Sequence, residues 1–379
     1  MRNTISSIFL LMLILLLNGC WDMIDINQAA LITGVGIDYQ KDQVIYTAQF
    51  AQKVTPQEAG TGKPLTESFT AQGQTVTDAA RKVLLRSPVF PLWAHTDLIL
   101  IGEGLAREDL ALLSDFLLRN RNLRPEAAII VAYQDTPEKM LNVPMPLSPY
   151  SATAINQLLD TNEAFEGVHV KVTMKDFLSH LVTPGIEPVV PQISLSENEK
   201  LTLNGAAVFR NRRQVGSLNE QECRGYRWLH YNINRGGLLT ITSPTDKKPL
   251  SFDIANISSK IRPVFKNDKL IYEIKVNTSL NLLEQTGQGN LMTDSRRRQL
   301  EKLADQEIKR QIILCVEKSQ SLNSDILGLG LQTHRYYPEY WQDVEGDWDT
   351  FYPRLQIEIK VKSQILSGYL LQESVDLES

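Results

Sequence analysis

Cysteine is scarce in this chain: only three occur, Cys20, Cys223 and Cys315, and no two of them stand at a CxxC or other close spacing. That excludes a disulfide scaffold and a cysteine-built zinc or redox module, which need clustered thiols. Cys223 and Cys315 could pair with each other, but each falls in an amphipathic stretch, where a small buried thiol is the ordinary reading. Positive charge is not in excess either. Lys and Arg number 39 against 44 Asp and Glu, a formal net charge of -5, so nucleic acid is not an expected partner and no polybasic run draws the chain to anionic lipid. The five histidines, His95, His169, His180, His230 and His334, are scattered without ligand spacing. No GxxxxGK[ST] loop, GxSxG elbow or HExxH pair is present, and Gly60-Thr61-Gly62-Lys63-Pro64 lacks phosphate-loop spacing and sets a proline where a helix would start. No catalytic residue, cofactor or metal is therefore expected, and no small-molecule ligand.

What is present begins at the N-terminus. One positive residue, Arg2, precedes an apolar run over Ile5 to Leu17 that only Ser6 and Ser7 interrupt. At about 13 residues it falls short of the roughly 20 that a spanning helix needs, and it ends in Asn18-Gly19 rather than in basic residues, which is the layout of a signal peptide over residues 1–19. Leu17-Asn18-Gly19-Cys20 then resembles the lipobox of bacterial lipoproteins, with Asn18 where a small residue is usual and the Gly-Cys pair intact. The resemblance implies a diacylglycerol on the Cys20 thiol and cleavage just before it. Two or three acyl chains of the palmitate class on one cysteine anchor a protein stably, where a single chain holds only marginally.

Beyond the anchor, alternating and β-branched segments predict an α/β (α+β) protein of mixed sheets flanked by helices. Ala29–Asp38 and Gln43–Val54 read as a hairpin around Tyr39–Asp42, with Gly34 and Gly36 marking a bulge or a close backbone approach rather than a dinucleotide loop. A strand over Glu67–Gln72 and a helix over Asp78–Arg86 capped by Thr75 or Thr77 follow. Next come a strand over Asp97–Ile101, a helix over Glu108–Arg119 and a strand over Ala127–Tyr133. Helices over Ser148–Asn162 and Thr173–Leu181 lead into Pro184, Pro188 and Pro191, and polar Ser194–Lys200 marks the main boundary. The N-terminal domain is thus placed at 20–195 and the C-terminal α+β domain at 200–373.

In the second half, Lys200–Arg213 is expected as a strand that turns at Gly216, and Asn219 caps a helix through Cys223 and Trp228. Leu238–Thr242, Leu250–Lys260 and Lys269–Leu283 predict an antiparallel sheet. Thr293–Gln320 carries Leu300, Leu303, Ala304, Ile308, Ile312, Cys315 and Val316 at helical spacing, and Leu355–Lys362 alternates as a closing strand. Arg296-Arg297-Arg298 opposes the helix dipole at the start of that helix and reads as a solvated face. Asp343, Glu345, Asp347 and Asp349 alternate around Gly346, but the glycine is fourth instead of sixth and Arg354 occupies the place of the twelfth-position Glu, so a solvated acidic turn is favoured over a calcium loop.

Three groups of residues together resemble the Ger(x)C family of spore germination lipoproteins, the C subunits of nutrient germinant receptors. The first is Cys20-Trp21-Asp22 with Thr33–Asp38; the second is Gly205–Phe209 with Gly216, Leu218, Glu222, Gly225 and Trp228-Leu229. The third and most specific is Asp325-Ile326-Leu327-Gly328-Leu329-Gly330 with His334, Tyr337-Pro338, Trp341, Trp348, Phe351 and Gly368. The aromatic residues and Pro338 are expected to bury ring area under a loop. The resemblance implies two to three α/β domains of unusual topology, the third a smaller middle domain around 145–195. It implies a place on the outer face of the spore inner membrane, integral-membrane A and B subunits as partners, and germinant recognition by the transporter-like B subunit. The alternative is a solute-binding lipoprotein of a transport system.

Overall fold

A computed structural model describes residues 28–52, 66–230, 236–244, 246–285 and 293–367. Strand β1 (Ala29–Gln40) turns back through Lys41 and Asp42, both at positive φ, into β2 (Gln43–Ala51), the hairpin expected from the two β-branched runs. Gly34 follows a bulge in β1, and a Cβ there would sit 2.4 Å from Ala152 Cβ. β3 (Thr66–Gly73) extends the sheet, and α1 (Val76–Val83) starts where the Thr75 side chain accepts from Asp78 N. The chain then adds β4 (Phe90–Leu92), β5 (Leu98–Ile101), α2 (Glu103–Arg107), α3 (Ala111–Arg119) and β6 (Ala128–Ala132). α4 (Pro137–Leu141), α5 (Ser151–Thr161), β7 (Val172–Thr173), α6 (Met174–Val182) and β8 (Val189–Leu195) follow.

The unbroken apolar strings of β5 and β6 reflect a sheet covered on both sides. Ile99, Ile101, Ile129 and Val131 pack with α1, α2, α3 and α6 on one face, whereas Leu98, Leu100, Ala128 and Ile130 pack with α4 and α5 on the other. Gln49 of β2 is buried among these layers with partners on both its amide atoms: its Nε2 donates to Leu141 O, and its Oε1 accepts from Ala152 N at 3.1 Å and Thr33 Oγ1 at 2.9 Å. Such partners are what make a buried amide tolerable.

β9 (Leu201–Arg210) and β10 (Arg213–Leu218) complete a ten-stranded mixed sheet of order β10-β9-β8-β6-β5-β1-β2-β3, with β4 against β1 and β7 against β6. The polar stretch 196–200, where a boundary was expected, is therefore the connection between two antiparallel neighbours of one sheet. Along β9, Ala207 and Phe209 face the helices of the first half, while Ala206 and Val208 face a second core. That second core lies on α7 (Glu220–Trp228), held by a capping box between Asn219 and Glu222, and on a sheet of β11 (Leu238–Thr242), β12 (Pro249–Lys266), β13 (Lys269–Gln285) and β14 (Gln356–Ser367).

Helix α8 (Asp294–Ser321) runs roughly 42 Å at 1.5 Å per residue and buries Leu300, Ala304, Ile308, Ile312, Cys315 and Val316, the stripe read from the sequence. Its outer face guards the free edge of β14: Asp305 Oδ1 accepts from Ser363 N at 2.6 Å and Glu301 Oε1 from Ile365 N at 3.0 Å. A covered edge cannot recruit another chain. Near the start of the helix, Arg297 and Arg298 turn back onto Asp294. Cys223 on α7 and Cys315 on α8 are both free and buried, and burial raises both thiol pKa values. The last helices are α9 (Leu329–Tyr336), α10 (Pro338–Val344) and α11 (Trp348–Phe351).

Several expectations need correction. The helix expected over Glu108–Arg119 starts only at Ala111, as α3, and a separate short helix, α2, precedes it, because Glu108 leaves the helical region at ψ -133° and Leu110 N donates instead to Arg212 O. The turn after β9 is made by Asn211 and Arg212, both at positive φ, and Gly216 lies inside β10, where a Cβ would come 2.6 Å from Leu322 Cδ2. The antiparallel sheet expected of three runs forms as β11, β12 and β13, and the closing strand β14 joins it parallel to β13. Trp341 and Trp348 are buried as expected, but Pro338 and Phe351 are exposed.

Gly225 lets α7 press directly on α8; a Cβ there would lie 2.1 Å from Gln311 O and 2.8 Å from Cys315 Cβ. Gly225→Ala should therefore lower stability by about 3 kcal/mol or more through overpacking, seen as a lower denaturant midpoint at unchanged slope. A neutral result would mean the two helices can separate without loss.

Candidate functional site

The segment between α6 and β8, punctuated by Pro184 and Pro188, is the strip on which the Asp325–Gly330 motif docks. Glu187 N donates to Asp325 O at 2.9 Å and Leu331 N to Gly185 O at 2.8 Å. The two backbones approach so closely that a Cβ on Gly185 would sit 2.5 Å from Gly330 C and Leu331 N; Gly185 also holds φ +76°, which suits glycine alone. On its other side Gly330 meets the Trp341 ring.

Asp325 organises this seam. It is 4% exposed, and its Oδ1 accepts from Leu329 N at 2.9 Å, while its Oδ2 accepts from Gly330 N at 2.7 Å and from Trp348 Nε1 at 3.0 Å. The carboxylate thereby satisfies N–H groups at the start of α9, whose dipole favours a negative group there. Thr333 Oγ1 in the next turn donates to Leu329 O and contacts Tyr272 Oη at 2.5 Å, tying α9 to β13. Burial raises the Asp325 pKa to about 7 against the pull of its three donors.

A cleft of about 450 Å³ opens beside this seam, walled by 181–187, the Asn211-Arg212 turn and α10–α11. Four carboxyl groups line it: Glu187, Asp325, Glu345 and Asp349. The Glu187 Oε1 accepts from Asn211 N at 3.0 Å, and burial, reinforced by Asp325 and Asp349, pushes its pKa up to about 7. Arg212, the cation in the wall, is held by Asp109 at 3.2 Å. The chemistry available is proton uptake near neutrality by two acids. Asp343, Glu345, Asp347 and Asp349 are all exposed on short helical turns, and among the described residues no three His, Cys, Asp or Glu come close enough to hold a metal ion.

Among the histidines, His169 is buried, which lowers its pKa to about 4, and His334 stacks on Trp341 with ring centroids 6.2 Å apart. Cys20, the expected site of lipid attachment, lies outside the described residues, as do Trp21, Asp22 and Gly368. The structure brings Asp325, Gly328, Gly330, Trp341 and Trp348 together, while Phe351 stays outside the cluster. Sequence reasoning missed Gly185 and Glu187, whose signal was only a Pro-Gly pair in a proline-rich exit. It also missed Arg227, a guanidinium 2% exposed that donates to Gly236 O at 2.7 Å and Glu163 O at 3.3 Å; burial lowers its pKa to about 10.

Comparison with known proteins covers nearly all of this architecture. Residues 22–195 match the family model described as spore germination protein N-terminal domain, and residues 204–368 match the one described as spore germination B3/GerAC like, C-terminal. Spore germination protein KC of Bacillus subtilis (strain 168) is 26% identical over 391 residues, covering 96% of this chain and 95% of the relative. Spore germination protein B3 of the same strain is 25% identical over 364 residues, covering 94% and 95%. The crystal structure of the GerBC protein shares the fold, with a TM-score of 0.59 at 20% identity, covering 88% of this chain and 97% of that one.

Two expectations follow from the seam. Asp325→Ala leaves three buried donors without an acceptor and should cost about 3–5 kcal/mol, read as a fall in melting temperature; an unchanged melt would show that water replaces the carboxylate. Glu187 has a folded pKa raised from 4.5 to about 7, so its contribution to stability is fully present below about pH 4.5 and is lost as pH rises through 7. Glu187→Gln should flatten the stability profile across that window, with a gain of about 1–2 kcal/mol at pH 8 relative to pH 4.5 after allowance for solvent screening. Parallel profiles for the two proteins would contradict the assignment.

Proposed function

The chain belongs to the spore germination B3/GerAC-like family, and from that membership we propose that it is the lipid-tethered subunit of a receptor that starts spore germination in response to nutrients. The observation that carries this reading is the conjunction of a match over both halves of the chain with a cysteine placed directly after the leader-like apolar run, in Leu17-Asn18-Gly19-Cys20. The leader, residues 1–19, is removed, and acyl chains on Cys20 hold residues 20–379 on the outer face of the spore inner membrane. No described helix is long and apolar enough to cross a membrane, so in this reading the anchor is the lipid.

The protein acts by assembly with integral-membrane A and B subunits and carries out no reaction itself. The two sequence units, 20–195 and 200–373, work as one body, which the shared sheet through β8, β9 and β10 supports. A rigid body of this kind can support and orient larger neighbours at a surface. The reading as a solute-binding lipoprotein gains little from the acidic cleft, because both Asp325 oxygens are already taken by backbone and indole donors.

Cys20→Ala should release the protein from spore membranes into the soluble fraction and slow nutrient-triggered germination, followed by fractionation and by the loss of optical density in a spore suspension. Pull-down of the unaltered protein from detergent-solubilised membranes should recover its two larger partners. Recovery of neither, or full germination by spores whose Cys20→Ala protein is soluble, would contradict the proposal.

A further inference from the structure

Beside the start of β1 and along the segment from α1 to β4, the sheet carries large apolar side chains that no described residue covers. Leu84 and Leu85 follow the last turn of α1, and Phe90 opens β4, whose parallel pairing with β1 sets Phe90 opposite Ala29 and Leu92 opposite Leu31. Leu85 is 85% exposed, Phe90 55%, Leu84 40% and Leu31 37%. The backbone beneath them is fixed, since Val89 and Trp93 pack on the core of the first half and Arg86 Nη1 donates to Thr70 O at 2.7 Å. Arg81, Lys82 and Arg86 stand exposed among them, with Lys82 shared with Asp78 at 2.8 Å. In a chain whose net charge is -5, this corner combines cations with apolar and aromatic groups, the make-up of a surface that settles into lipid headgroups.

The position of this rim matters as much as its composition. Its Leu31 and Phe90 lie where β1 begins, and only residues 20–27 separate Cys20 from Gln28. Eight residues span at most roughly 28 Å when fully extended. A lipid on Cys20 therefore keeps the start of β1 within about 28 Å of the bilayer. We infer that Leu31, Leu84, Leu85 and Phe90, flanked by Arg81 and Arg86, form a second membrane contact that seats the body on anionic lipid and fixes its orientation. This inference rests on the reading of Cys20 as the attachment point. The acyl chains suffice to hold the protein on the membrane, and this second contact acts on orientation.

The mature chain carrying Cys20→Ser, which has no acyl chain, is floated with vesicles of phosphatidylcholine alone and of phosphatidylcholine with phosphatidylglycerol. It should float with the anionic vesicles. Leu85→Glu with Phe90→Glu, and separately Arg81→Glu, should each cut the floated fraction at least about fivefold, with unchanged circular dichroism and melting because these three side chains are exposed. A spin label on Leu85→Cys in vesicle-bound protein should be shielded from a water-soluble relaxation agent, while one on Asp268→Cys in the exposed β12–β13 turn should not, which tests the rim without charge reversal. No flotation, undiminished flotation of both charge-reversed proteins, or a label at 85 as open to water as the one at 268 overturns the inference. Binding confined to membranes that contain other proteins does so too, by making the rim a protein interface. The two readings fail separately. An acylated chain that stays on membranes while its Cys20→Ser form ignores vesicles removes the rim and keeps the anchor; an unmodified Cys20 with rim-dependent flotation does the reverse.

Discussion

Strand β9 is the constraint on which the rest of the molecule depends. Its residues alternate between two cores, Ala207 and Phe209 toward the first and Ala206 and Val208 toward the second, so neither half can be packed without it. The alternation is the ordinary two-residue period of a strand, but both of its faces are buried, and a slip of one residue would exchange the two sets of contacts. α7 and α8 then fill the second core from the side that β9 presents. What reads in sequence as two units is, in space, one continuous body.

Asp325 secures the same junction at its rim. A buried carboxylate is expensive unless each of its oxygens finds donors, and here the donors come from the start of α9 and from the Trp348 indole, while its carbonyl receives Glu187 N from the first half. The glycines of the motif serve the same contact, because only bare backbone can approach as closely as Gly185 and Gly330 do. Two carboxyl groups with raised pKa values at one seam give the junction a dependence on pH near neutrality.

Elements with local causes were legible in the sequence. The β1–β2 hairpin, the Thr75, Thr173 and Asn219 caps and the long stripe of α8 follow from turn chemistry, side-chain acceptors and helical spacing within a few residues. Features with distant causes were not. The α2–α3 break depends on Arg212 a hundred residues away, the sheet crosses residues 196–200 because β8 finds both β6 and β9, and Gly216 is small on account of Leu322. The Asp325–Gly330 motif was visible as a pattern, yet its role required the unremarked segment around Gly185 and Glu187 that receives it. Phe351 carried the same aromatic signal as Trp341 and Trp348 but lies on the outer side of its short helix.

In the proposed function this shared sheet lets the chain hold a position relative to its neighbours. In the proposed reading that position is set from the end where β1 begins, by a short tether and an apolar rim, and everything else in the account presumes the tether. Mass spectrometry of the N-terminal peptide of the protein taken from spore inner membranes tests it most directly. The account predicts a chain that begins at Cys20 and carries a diacylglyceryl group on that sulfur; a peptide with an unmodified Cys20 thiol would contradict it.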